Sequence, residues 1–152
     1  MMLPFSNKTY SAMDFNELPF QHAIEFKQGN GSRQLAVFSD PECPYCQRLE
    51  LELAKLDDVT IHVFPFPLTQ LHPKAEQISR KIWCSPDRAS AWRDYLTQQL
   101  APDNPGNCDA PVEANLQLGQ ALGVNGTPTL ILSSGKLITG AASAEDIDAL
   151  LD

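Results

Sequence analysis

The chain has 152 residues, 43% of them apolar and 20% charged, and a formal net charge of −8. That length allows one domain with its own core and is too short for two comfortable ones. The Lys and Arg residues, 11 in all, are scattered with only Arg80 and Lys81 adjacent, which argues against a nucleic-acid groove, and no apolar run approaches the ~20 residues of a membrane span.

The chain opens on MMLPFSNKTYSAMDF, which has neither a basic n-region nor a long apolar h-region and so is not a signal peptide. Residues 1–14 read as a tail or linker stub. Taken literally, that start describes a cytosolic protein; the other reading is a mature or trimmed fragment. From residue 15 a short apolar segment leads into His22–Phe26, which alternates like a strand. Gln28–Ser32 is a turn cluster, and Leu35-Ala36-Val37-Phe38 is a continuous apolar run, as expected for a central strand buried on both faces. After Pro44 the period changes: Tyr45, Leu49, Leu53 and Leu56 recur at helical spacing. Val59–Phe64 alternates again, and Pro65-Phe66-Pro67 ends that strand. Two helices are predicted over 73–100, split near Ser85-Pro86-Asp87, and a third over Pro111–Leu122 with Gly123 as its terminator. A hairpin of Thr129–Leu132 and Lys136–Ile138 follows, then a last helix capped by Ser143. The order describes an α/β domain with a mixed sheet.

The first helix starts at Cys43-Pro44-Tyr45-Cys46. Proline suits the first helical position, so Cys43 falls at the N-cap and Cys46 one turn on, on the same face. The unpaired amides of a first turn and the positive end of the helix both favour thiolate at the cap. Thiolate is the form that attacks disulfides, so Cys43 reads as the exposed nucleophile and Cys46 as its shielded partner. Asp40 and Glu42 act against this by placing negative charge nearby. Glu42 reads as part of a solvated turn, and the role of Asp40 stays open. Zinc needs about four ligands, usually a second CxxC or a close histidine pair. Cys84 and Cys108 lie far apart, and His22, His62 and His72 share no ligand spacing. No metal is expected, and the histidines read as surface or strand-packing residues.

Bridged, Cys84 and Cys108 would close a loop of about 25 residues, worth about 3.5 kcal/mol in the chain-entropy model. Left free, they are two buried thiols of a reducing compartment. Pro128 in Gly126-Thr127-Pro128-Thr129 is either an ordinary strand-opening proline or a cis proline at a tight reversal.

With these residues in view, the chain resembles the thioredoxin superfamily, and more closely the catalytic domain of the periplasmic disulfide isomerases of the DsbC/DsbG type. The resemblance runs from about Phe15 to Leu151 through LAVFSDPECPYC, Ile82-Trp83-Cys84, Asn107-Cys108-Asp109, LGQALGVNGTPTLIL and GKLITGA. It implies a thioredoxin-like fold over 15–152, with a helical insertion at about 72–122 between the CxxC helix and the cis-proline strand. It implies that Cys43 attacks and Cys46 resolves. Pro44, Tyr45, Thr127 and a cis Pro128 would line the active-site loop and touch substrate, and Cys84 and Cys108 would form a structural disulfide. No cofactor beyond the dithiol is implied. Implied partners are exported proteins with incorrect disulfides and a membrane electron donor of the DsbD type, in the periplasm. A homodimer is expected only with an upstream dimerisation domain. The CPYC dipeptide departs from the glycine that many DsbC-like proteins carry after the first cysteine, which leaves redox poise open. The rival readings are a monomeric reductase or dithiol oxidase, and a redox-independent chaperone.

Overall fold

The computed structural model describes residues 14–152. The expected tail at 1–14 therefore lies, apart from Asp14, outside the described residues.

Five strands form one sheet: β1 (Ile24–Gln28), β2 (Arg33–Ser39), β3 (Val59–Pro65), β4 (Thr129–Leu132) and β5 (Leu137–Thr139). Their spatial order is β1-β3-β2-β4-β5, with β2 parallel to β3 and every other pair antiparallel. The parallel pair needs a crossover, and helix α1 (Pro44–Leu53) supplies it. Between β3 and β4 lie α2 (Ala75–Trp83), α3 (Arg88–Gln98) and α4 (Val112–Leu122), and α5 (Ala144–Leu151) closes the chain.

The central strand alternates between two cores, as its apolar run requires. Leu35 and Val37 join Leu49 and Leu53 of α1, Trp92 and Leu96 of α3 and Ile147 of α5. Ala36 and Phe38 point the other way, with Phe64, Phe66 and Leu122. Phe38 stacks on Phe64 at 5.0 Å between ring centroids and meets Phe66 edge-on at 5.4 Å. Each such fully buried phenylalanine contributes about 1.5–3 kcal/mol.

Three details depart from the sequence pattern. The strand expected from His22 begins at Ile24, because Phe15–Glu17 and Phe20–His22 form 3-10 turns whose C-cap N–H groups bond back to Phe15 and Phe20 carbonyls. All seven residues of β3 are buried, although Thr60 and His62 are polar. The Thr60 hydroxyl donates to the Gly31 carbonyl at 2.7 Å and His62 bonds Gln34 at 2.9 Å, so neither polar group is stranded. Finally, Tyr45 is 55% exposed. The buried stripe of α1 is Cys46, Leu49, Glu50 and Leu53, one residue around the helix from Tyr45.

Candidate active site

Strand β2 runs into the Asp40–Glu42 turn and then into α1, so the sheet delivers Cys43 to the helix N-terminus. Cys43 has extended N-cap geometry (φ −80°, ψ 124°) and Pro44 opens the helix. Both cysteines are free; Cys43 is 6% exposed and Cys46 is fully buried. The accessibility expected of Cys43 is thus reduced to an edge of the residue. The capping amides are not what its thiol engages. Its side chain makes no cap hydrogen bond, and the sulfur lies 3.7 Å from the Thr127 carbonyl. A protonated thiol is a donor and a weak acceptor, so it turns to a carbonyl rather than to N–H groups. The Thr127–Pro128 bond is cis, with Pro128 buried and Thr127 half-buried beside the dithiol.

Cys46 is held differently. The Asp40 N–H donates to its sulfur at 3.4 Å. Burial pushes its thiol up to about 12, opposed by the Ser39 hydroxyl and the Asp40 amide, with the neighbouring Cys43 adding to the rise. One sulfur is therefore reachable at the mouth and the other is stored as thiol beneath it.

The turn between β2 and Cys43 is braced from two sides. Asp40 is fully buried, and its carboxylate accepts from the Glu42 N–H (2.8 Å), the Leu68 N–H (2.9 Å) and His72 Nδ1 (2.9 Å). What residue 40 presents to Cys46 is its backbone amide. Glu42 is half-buried and accepts from the Tyr95 hydroxyl of α3, so it is not the solvated turn residue expected; the insertion packs back onto it. His72 is neither a free surface residue nor a strand residue, because Asp40 claims it. Deeper in α1, the buried Glu50 accepts from Trp92 Nε1 at 2.9 Å, and burial raises its carboxyl above the usual range. Among the described residues, no cluster of three or more His, Cys, Asp or Glu side chains is arranged to hold a metal.

The family profile of the thioredoxin-like domain matches residues 20–152. The chain belongs to the thioredoxin-like family. A solved disulfide interchange protein from Neisseria gonorrhoeae superposes with a TM-score of 0.83 at 40% identity, covering 88% of this chain and 98% of that one. The probable thiol:disulfide interchange protein DsbC of Bordetella bronchiseptica is 39% identical over 93% of this chain and 50% of its own length. DsbC of Escherichia coli K12 is 30% identical over 85% of this chain and 55% of its own length. The chain spans about half the length of the curated relatives it matches.

On this thioredoxin-like frame the second cysteine pair sits away from the dithiol. Cys84 ends α2 and Cys108 lies in the loop before α4; their sulfurs are bonded, with 5.7 Å between Cα atoms. The bond and Asn104, whose amide donates to the Lys81 carbonyl at 2.9 Å, tie the 99–111 loop to α2. Sequence reasoning missed Ser39, His72, Glu50 and Tyr95 as neighbours of the thioredoxin-like site. For Glu50 a signal existed: it lies four residues after Cys46, on the buried face of the same helix.

Proposed function

We propose that this chain carries out thiol:disulfide interchange, isomerising or reducing wrong disulfides in exported proteins. The observation that carries the reading is the asymmetry of the dithiol: Cys43 keeps an open edge at a helix N-terminus, while Cys46 is sealed beneath it. A Cys43 thiolate attacks a substrate disulfide, forms a mixed disulfide and expels one substrate sulfur as thiolate. Isomerisation follows when a substrate thiolate attacks a different sulfur and finally displaces Cys43 unchanged. Reduction follows when Cys46 attacks Cys43, closing the Cys43–Cys46 disulfide and releasing the substrate dithiol. The kinship with proteins named DsbC favours isomerisation.

In this reading residues 15–152 are the catalytic domain and about 72–122 its helical insertion. Pro44, Tyr45, Thr127 and Pro128 form the rim that meets substrate, and the Cys84–Cys108 bond holds the insertion. The dithiol carries the electrons without a cofactor. A periplasmic location and a membrane electron donor of the DsbD type keep it supplied, and dimers require an upstream dimerisation domain.

The test is refolding of a scrambled-disulfide protein in a glutathione buffer. The full chain is expected to accelerate recovery of activity, and Cys43→Ala to abolish the gain. Recovery no faster than with glutathione alone contradicts the proposal.

A further inference from the structure

Ser39 is the last residue of β2, only 1% exposed, and its hydroxyl has no hydrogen-bond partner. A buried hydroxyl in that condition is costly, and in a native fold it asks for a reason. The next residue indicates one. The Asp40 N–H donates to Cys46 Sγ at 3.4 Å, so the end of β2 runs directly against the inner sulfur. The Ser39 hydroxyl also acts on that sulfur, drawing its pKa down against the larger upward push of burial. Toward the neutral thiol the hydroxyl forms no aligned hydrogen bond. A thiolate is a much stronger acceptor, and hydrogen bonds to ionised groups are shorter and tighter.

We propose that the Ser39 hydroxyl is a donor held in reserve for the Cys46 thiolate, and that it sets the rate of the resolving step. The proposal rests on the interchange reading above. In that step Cys46 gives its proton to solvent, and the thiolate attacks Cys43 Sγ in the mixed disulfide. The Cys43–Cys46 bond forms and the bond from Cys43 to the substrate sulfur breaks. The substrate sulfur leaves as thiolate and takes a proton from water. The protein dithiol loses two electrons, and the substrate disulfide gains them. Because resolution competes with rearrangement of the bound substrate, Ser39 tunes the division between reduction and isomerisation.

Losing one hydrogen bond to the thiolate raises the Cys46 pKa by about one unit. That leaves about tenfold less thiolate at neutral pH. A more basic sulfur is about threefold more nucleophilic, so the net resolving rate falls about threefold.

The experiment mixes the reduced full chain with one equivalent of 5,5′-dithiobis(2-nitrobenzoate) in a stopped-flow instrument at pH 7. Attack by Cys43 releases a first coloured thiolate, and resolution by Cys46 releases a second. Ser39→Ala is expected to slow the second release about threefold and leave the first unchanged, with Ser39→Thr restoring the second. The assignment is overturned if Ser39→Ala leaves the second release at the native rate, if it slows both alike, or if Ser39→Thr matches Ser39→Ala. Native protein that releases no thiolate overturns the interchange reading itself, whereas native protein that stops after one equivalent has no resolving step and overturns the assignment to Ser39 alone, which separates the two failures.

Discussion

Replacing Asp40 with alanine tests the brace under the dithiol. The carboxylate is fully buried and accepts three hydrogen bonds, from Glu42 N–H, Leu68 N–H and His72 Nδ1, at 2.8, 2.9 and 2.9 Å. Hydrogen bonds to a charged acceptor contribute about 1.5–3 kcal/mol each, which sets a ceiling for their simple sum. Leu68 and His72 are only partly buried, so water can reach their freed donors and lower the cost. Three donors left without their acceptor, at about 1–3 kcal/mol for each one kept from water, give an expected loss of about 3–5 kcal/mol. For a domain of this size that is a fall of roughly 6–20 °C in Tm. Urea unfolding followed by tryptophan fluorescence, with the dithiol held reduced, measures it directly. His72→Ala, which keeps the two backbone donors satisfied, should cost only about 1 kcal/mol. The double variant should cost less than the sum by at least about 0.5 kcal/mol, because the two residues share one bond. An Asp40→Ala protein within about 1 kcal/mol of the native one refutes the reasoning.

Replacing both Cys84 and Cys108 with alanine should lower stability by about 3.5 kcal/mol in a urea assay run without reductant, so that the native bond stays closed, with the dithiol reactions retained; loss of dithiol reactivity would place the pair in the chemistry. Tyr95 is pushed up to about 12 by burial and by its bond to Glu42. Its folded pKa thus lies above the unfolded value of about 10, so the stability it confers is complete below pH 10 and lost as pH rises toward 12. Titration of phenolate absorbance should show this late tyrosine, and Tyr95→Phe should remove both it and the slope of stability in that window. A Cβ placed on the buried Gly119 of α4 would lie 2.3 Å from Phe66 Cε1. Overpacking costs of about 1–3 kcal/mol outweigh the helix-propensity gain of about 1, so Gly119→Ala should destabilise on balance, as read by urea midpoint.

The fold was legible because its signals are local. Change of period marks β2, α1 and β3, Ser85-Pro86-Asp87 separates α2 from α3, and Gly123 (φ 86°) ends α4 where its sequence position suggests. Cys43 and Cys46 were equally plain, since proline at the first helical position sets their phase on the helix. What stayed hidden is what distant segments do to the site. Asp40 meets His72 from 32 residues away, and Glu42 meets Tyr95 from 53, so neither partner carries any spacing signal. The same holds for Tyr45, an apolar residue at helical spacing that the packing of α1 leaves exposed. Ser39 carries no signal in the sequence beyond following the apolar run of β2, and its unpaired hydroxyl is visible only once Cys46 is set against it.

The most direct test of the central claim, that Cys43 is the attacking sulfur, is a trapping measurement. A reduced Cys46→Ala protein is mixed with a peptide disulfide, quenched with acid, and analysed by intact mass and peptide mapping. One mixed disulfide per chain, located on Cys43 and missing from the Cys43→Ala protein, is the predicted result. An adduct that forms as fast on Cys46 in the Cys43→Ala protein, or no adduct on Cys43 at all, contradicts the account.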